Sequence, residues 1–180
     1  MSIRSTALTL VAAVLPTLAI AQATPVSNTK AVTQAFRDDA RSRGKNLVAA
    51  AEAMPADKYG FKPTPAQMSF GDIVVHLSQG NDLLCGKIGG VTAPQRAKVG
   101  ATESKDALVA RLKETFAFCD EALSKVDDTK LNEEMSLFGP NKMTRAAVMT
   151  LTTGDWADHY SQQAIYLRLN GQLPPTAKKP

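Results

Sequence analysis

Histidine is scarce in this chain of 180 residues: His76 and His159 are the two it has. Aromatic residues are also few, at 6 %, and no basic stripe with interleaved aromatics occurs. Lysines and arginines instead stand among acids, as in Arg37-Asp38-Asp39, Lys105-Asp106 and Lys113-Glu114, and the formal net charge is a mild +4. Together with the export signal described below, this excludes a nucleic-acid-binding surface. Cysteine stops at Cys85 and Cys119, which belong to no Cys-x-x-Cys or zinc-finger spacing, and this argues against redox catalysis and a thiolate metal site. No strand-like alternation and no internal repeat is found, which sets sheet and solenoid folds aside.

One long apolar run is present, and it lies at the N-terminus. Residues 1–21 combine Arg4, an apolar stretch from Ala7 to Ile20 and the small-x-small ending Ala19-Ile20-Ala21. That is the pattern of a secretory signal peptide, and Ala21-Gln22-Ala23 offers a second cut, so cleavage is expected after Ala21 or Ala23. The run is short for a membrane span and soon gives way to polar residues; an uncleaved anchor is the plainer alternative. The mature chain is therefore expected to be periplasmic or secreted, with no stable membrane span after cleavage. Loss of Arg4 takes the net charge from +4 to +3. In an oxidising compartment Cys85 and Cys119 read either as a disulfide or as two small buried hydrophobes, each on the apolar face of its own helix.

Four periodic segments follow. After a short flexible leader, 22–29, apolar residues recur at helical intervals from Val32 to Met54, with Gly44 weakening the middle. Three prolines between Pro55 and Met68 exclude a regular helix, yet Tyr59, Phe61 and Met68 can pack, so an extended crossover is expected there. Ser69 reads as the N-cap of a second helix with core positions Phe70, Ile73, Val74, Leu77, Leu84 and Ile88. After a glycine- and proline-punctuated loop, Thr102 or Ser104 starts a third helix with an apolar seam from Leu108 to Val126, ended by Asp127-Asp128. A packed loop around Gly139-Pro140 leads to a last helix, capped by Thr144 and running to Asn170. Residues 174–180 read as a disordered tail. The fold class is all-α: a single four-helix bundle over 30–173 with long crossover loops.

The last helix carries the chemistry. Asp155, His159 and Gln163 stand four apart and so share a face, while Ile165, Tyr166 and Leu169 offer packing. His76 lies on or beside the buried stripe of the second helix. Burying an unpaired carboxylate is costly, so an inward Asp155 needs a positive partner or a metal. Two imidazoles and a carboxylate from neighbouring helices can hold zinc with a bound water, or iron, nickel or manganese, and leave positions open. The plainer alternative makes His76 and His159 hydrogen-bonded core residues and Asp155 an exposed acid. Gln163 has two readings as well: it orients the metal-bound group, or it hydrogen-bonds to the next helix. Tyr59, Trp156 and Tyr160 read as packing residues.

Two stretches are more distinctive than spacing alone. M-P-x-x-x-Y-x-F-x-P-T-P runs from Met54 into the helix of His76. H-Y-x-Q-x-x-x-Y-L-R-x-N-G-x-x-P-P runs from His159 to Pro175. With them the chain resembles the DinB-like (YfiT-type) superfamily of small four-helix metal-binding proteins, over nearly the whole mature length. The resemblance implies a divalent metal, often zinc or nickel, held by one histidine of the second helix and two, four apart, on the last. His76 matches the first and His159 the last; the position between them carries Asp155 instead of histidine. Some relatives are thiol-dependent transferases or isomerases, and relatives are often dimers, so a small-molecule substrate or ligand and a homodimer are expectations here. The expected function is a metal-dependent hydrolase or thiol transferase. Export away from cytosolic thiols weighs against the transferase. The alternative is a non-catalytic bundle that binds a ligand or partner with a degenerate metal site.

Overall fold

In the computed structural model, residues 30–177 are described. The expected signal peptide with its cleavage points after Ala21 and Ala23, the leader 22–29 and the last three residues of the expected tail lie outside the described residues. Four helices carry the fold: α1 (Ala31–Ala53), α2 (Phe70–Gly89), α3 (Lys105–Leu123) and α4 (Arg145–Leu169). No helix of the described residues is long and apolar enough to cross a membrane.

Local chemistry explains most helix starts. Ser69 accepts from Asp72 N–H while the Asp72 carboxylate accepts from Ser69 N–H, a reciprocal capping box that opens α2. Ser104 and Thr144 cap α3 and α4 in the simpler way. The start of α1 has no such local device, because Lys30 occupies its N-cap. Asp128, from the far side of the chain, accepts from Val32 N–H at 2.9 Å and Thr33 N–H at 2.8 Å instead. Burial opposes the charge on Asp128, but those backbone donors prevail and lower its pKa.

Packing sets the directions. Along α2 and α3, Asn81 meets Thr115 and Cys85 meets Cys119, so these helices run parallel. Phe36 stacks on Trp156 between α1 and α4, which are parallel to each other. Arg37 of α1 donates to Leu123 and Val126 carbonyls while Lys113 pairs with Glu52, so α1 and α3 are antiparallel. The order is thus up-down-down-up, and each helix packs on two neighbours. Parallel α2 and α3 force residues 90–104 to return along the bundle. Arg96 fastens this strap to Asp82 at 2.9 Å and Glu114 at 3.2 Å, and Arg111 donates to Ala97 O at 2.8 Å.

The core is centred on Trp156, Tyr166, Phe70, Leu47, Leu77 and Leu112, all buried. Gly44 is not a weakness of α1: a Cβ there would meet the Phe116 ring at 2.8 Å, so the glycine lets α3 close on α1. The crossover after α1 packs as expected, with Tyr59 donating to Ala51 O at 2.7 Å.

Several expectations are corrected. Three-residue strands β1 (Glu134–Ser136) and β2 (Lys142–Thr144) form a hairpin, closed by Gly139 at φ 69°, where a loop was expected. Such strands are too short to show an alternating pattern. Ile165 and Leu169 are exposed although their spacing fits a core face, since α4 buries the Trp156–Gln163 side, and Val32 in the first turn of α1 is exposed as well. Helix α3 ends at Leu123, before Asp127. The first four residues of the expected disordered tail are ordered: Pro174 is buried and Pro175–Ala177 form a 3-10 turn beside α1. Tyr160 donates to Thr176 Oγ1 at 2.9 Å and accepts from its N–H.

Candidate metal centre

Antiparallel packing of α2 on α4 brings His76 opposite His159, and the helical repeat places Asp155 one turn before His159. The ring centroids of the two histidines are 4.6 Å apart, with planes inclined at 63°. Asp155 Oδ1 lies 3.4 Å from His159 Nε2 and 3.7 Å from His76 Nε2. These are ion-pair distances and not short hydrogen bonds. The site grades from outside to inside: the His76 side chain is 48 % exposed, Asp155 26 % and His159 is buried. His76 therefore stands at the rim of the buried stripe, and the trio opens towards solvent on its side.

The electrostatics follow from this grading. Burial raises the Asp155 pKa, but His159 and then His76 outweigh it, and the carboxyl stays below its ordinary value. Burial disfavours the charged form of His159, and Asp155 overcomes that, with lesser help from Asp158 and Gln162, so its pKa is raised. Asp158 and Gln162 were not singled out from the sequence; Gln162 donates to Asp158 at 2.8 Å on the outer face of α4, a pairing visible only as an i, i+4 spacing.

Can these donors hold a cation? One ligand atom from each residue lies within 4.8 Å of the other two, and among the described residues this is the one such group of histidine, cysteine and acidic residues. Donors about 2.1 Å from a common ion stand roughly 3.0–3.5 Å apart, so small side-chain rotations close the present arrangement. Two neutral imidazoles and a carboxylate also suit a divalent ion chemically. The residues fit.

Other features separate from the trio. A groove of about 620 Å³ lies between α1 and α3, floored by Gly44, Val48 and Phe116, on helices that do not carry the site. It brings no cluster of ligating groups among the described residues, so chemistry locates the site at the trio. Cys85 and Cys119 are joined as a disulfide between α2 and α3, with Cα atoms 5.1 Å apart. Gln163, expected either to orient a bound group or to reach the next helix, is fully buried, and neither amide atom has a protein partner. Trp156 and Tyr59 serve packing as expected.

Comparison with known proteins gives one family. The profile of the DinB superfamily matches residues 40–163, a span that contains all three residues of the trio. No curated protein matches the chain. Among solved structures, a DinB-like protein from Bacillus subtilis (YjoA) superposes with a TM-score of 0.65 at 21 % identity, over 81 % of this chain and 99 % of that one. A DinB-like protein from Bacillus cereus superposes with a TM-score of 0.66 at 14 % identity, over 79 % of this chain and 95 % of that one. At such identities the likeness is one of fold.

Proposed function

The chain belongs to the DinB superfamily, and from that premise we propose that it is an exported protein holding one divalent ion between α2 and α4, and that it acts as a metal-dependent hydrolase or thiol transferase. The observation that carries this reading is the convergence of His76, Asp155 and His159, from segments about eighty positions apart in the chain, on one cation-sized space. The donor set suits zinc, nickel, iron or manganese, and the resemblance favours zinc or nickel among them.

An ion held by three protein donors supplies a Lewis acid with coordination positions left open. The chain's own residues do the rest. Buried His159 forms the inner donor, with Asp155 holding charge beside it at 3.4 Å. Asp155 gives the site one negative charge where a third imidazole would give none, which lowers the net charge at the ion. Half-exposed His76 forms the rim, so a small-molecule substrate or ligand approaches from its side. Export is supported by the signal-like residues 1–21 and by a disulfide of the kind that persists in oxidising compartments. N-terminal sequencing of the mature chain is expected to begin at Gln22 or Thr24.

The deciding experiment is metal analysis of protein purified without added metal, beside a His159→Ala variant. Near-stoichiometric metal in the first and loss of it in the second is expected; equal content in both removes the site. One observation favours a second reading, a non-catalytic bundle with a degenerate site: Asp155 lies at ion-pair distance from both imidazoles, so the trio can balance its own charge without an ion. Asp155→His separates the two. A wild type that holds no metal, beside a variant that gains affinity by orders of magnitude, favours the second reading.

A further inference from the structure

Six glycines stand inside the helices of the described residues: Gly44 in α1, Gly71, Gly80, Gly86 and Gly89 in α2, and Gly154 in α4. A glycine inside a helix costs stability relative to alanine, so each needs a reason. For four of them the reason is close packing. A Cβ at Gly44, Gly71, Gly86 or Gly89 would stand 3.0 Å or less from the Phe116 ring or from the Ala101, Val91 or Ala122 carbonyl oxygen. Gly80 and Gly154 have no such reason. A Cβ at Gly80 would meet only Leu84 Cδ1, at 4.0 Å, one at Gly154 would meet nothing, and neither glycine has a positive φ. Both flank the trio, since Gly80 follows His76 by one turn and Gly154 precedes Asp155.

Of the two, Gly80 borders the opening. The Asn81–Trp156 bond of 2.8 Å and the His76–His159 contact fix the register of α2 against α4 and bring Gly80 level with Asp155. A helical side chain covers the surface over the turn N-terminal to its own Cα. Any side chain at 80 would therefore lie over the turn of His76, on the side where the trio meets solvent. Glycine leaves that surface uncovered. One turn further from the trio, the same register sets Leu83 of α2 level with Leu151 of α4. Both leucines are exposed, at 39 % and 37 %, so the uncovered surface continues into an apolar one. Gly154, by contrast, is exposed on the outer face of α4, away from this opening.

We propose that Gly80 is a specificity-determining position: it leaves room beside the trio for a small apolar group of the substrate, which Leu83 and Leu151 then border. The molecule that fits has a head that coordinates a metal ion through its open positions and a short apolar chain attached to that head. Such a chain covers two leucines that otherwise face water, and its burial is the source of the selectivity. This substrate class rests on the metal reading of the trio. The room at Gly80 is a property of the metal-free chain and has its own readout.

The test uses the mature protein loaded with zinc and two hydroxamates that share a head and differ in chain length. Wild type is expected to bind hexanohydroxamate at least about 10-fold more tightly than acetohydroxamate, by burial of the added methylenes. Gly80→Leu should remove that preference while zinc affinity is unchanged. Should Gly80→Leu fail to fold, the exposed pair Leu83→Asn and Leu151→Asn carries the comparison, with the same loss expected. In metal-free protein Gly80→Ala should raise the urea midpoint, as the control Gly154→Ala does, because nothing crowds either position. Zinc-loaded wild type without a chain-length preference, a preference that survives these substitutions, or a lowered midpoint in Gly80→Ala overturns the proposal and leaves the metal reading standing. Wild type that binds no zinc contradicts the metal reading, and the substrate class falls with it.

Discussion

Two buried polar clusters that adjoin on α4, one at Trp156 and one at His159 and Gln163, are built in opposite ways. At Trp156 every group is paired: the indole N–H donates to Asn81 Oδ1 at 2.8 Å, Asn81 Nδ2 donates to Thr115 Oγ1 at 3.2 Å, and Thr115 donates to Leu112 O at 3.0 Å. The chain of bonds ties α4 to α2 and α3 and ends on backbone. At His159 and Gln163 three buried atoms have no protein partner, and the neighbouring Asp155 and His76 approach only at ion-pair distance. A satisfied network specifies a fold, whereas donors left facing a common space are arranged for something that comes from outside. Helices α2 and α4 contribute to both, so the difference lies in the side chains that they carry.

The comparison can be broken from either side. The largest effect is expected from the disulfide, one turn from Asn81 on α2 and from Thr115 on α3. Replacing Cys85 and Cys119 by serine should cost about 3–4 kcal/mol by the loop-closure entropy of a bridge spanning 34 positions, read as a lower urea midpoint, with metal content per folded molecule unchanged. Asn81→Ala comes next: it leaves the buried Trp156 N–H unpaired and opens a cavity, for a loss of about 3 kcal/mol in the same assay. His159→Ala should invert that pattern, lowering zinc affinity by at least about 100-fold while moving metal-free stability by no more than about 1–2 kcal/mol. A large stability loss with unchanged affinity would make His159 a member of the structural cluster instead.

The smallest effect is a shift of pH profile. In the metal-free protein, Asp155 has a lowered pKa, so its contribution is present above the unfolded carboxyl value of about 3.9 and fades as pH falls through the folded one. His159 has a raised pKa, so its contribution is present below the unfolded value of about 6.5 and fades as pH rises through the folded one. The pair therefore stabilises most between about pH 4 and 6.5. An ion needs neutral imidazoles, so adding zinc should move the stability maximum upward in pH. Thermal melts across pH with and without zinc read this directly; coincident profiles would contradict it.

How much of this was legible beforehand differs by region. Signals held within one turn were readable: the Ser69–Asp72 box, the Thr144 cap, the seam from Leu108 to Val126, and the Asp155–His159 spacing all depend on neighbours in sequence. The pairing of His76 with His159 was readable through the resemblance, because spacing alone also allowed two ordinary core histidines. What depended on distant partners stayed hidden. Asp128 caps α1 from 95 positions away, and nothing near Lys30 announces it. Arg145 is another case. Its buried guanidinium donates to Ile88 O at the end of α2 and to Glu133 at 2.6 Å, closing a helix end and the hairpin together. Ile165 and Leu169 show the reverse failure, since helical spacing fits them to a core but α4 turns a different side inward. Gln163 was noticed for its position one turn beyond His159; that its amide is enclosed without a partner is a fact of packing.

The most direct measurement is anomalous diffraction at the zinc edge from crystals of the mature protein grown with zinc. The account predicts one strong peak between α2 and α4, about 2.0–2.2 Å from an imidazole nitrogen of His76, an imidazole nitrogen of His159 and a carboxylate oxygen of Asp155. A map without a peak there, or one with the two imidazoles turned away from each other, would contradict it.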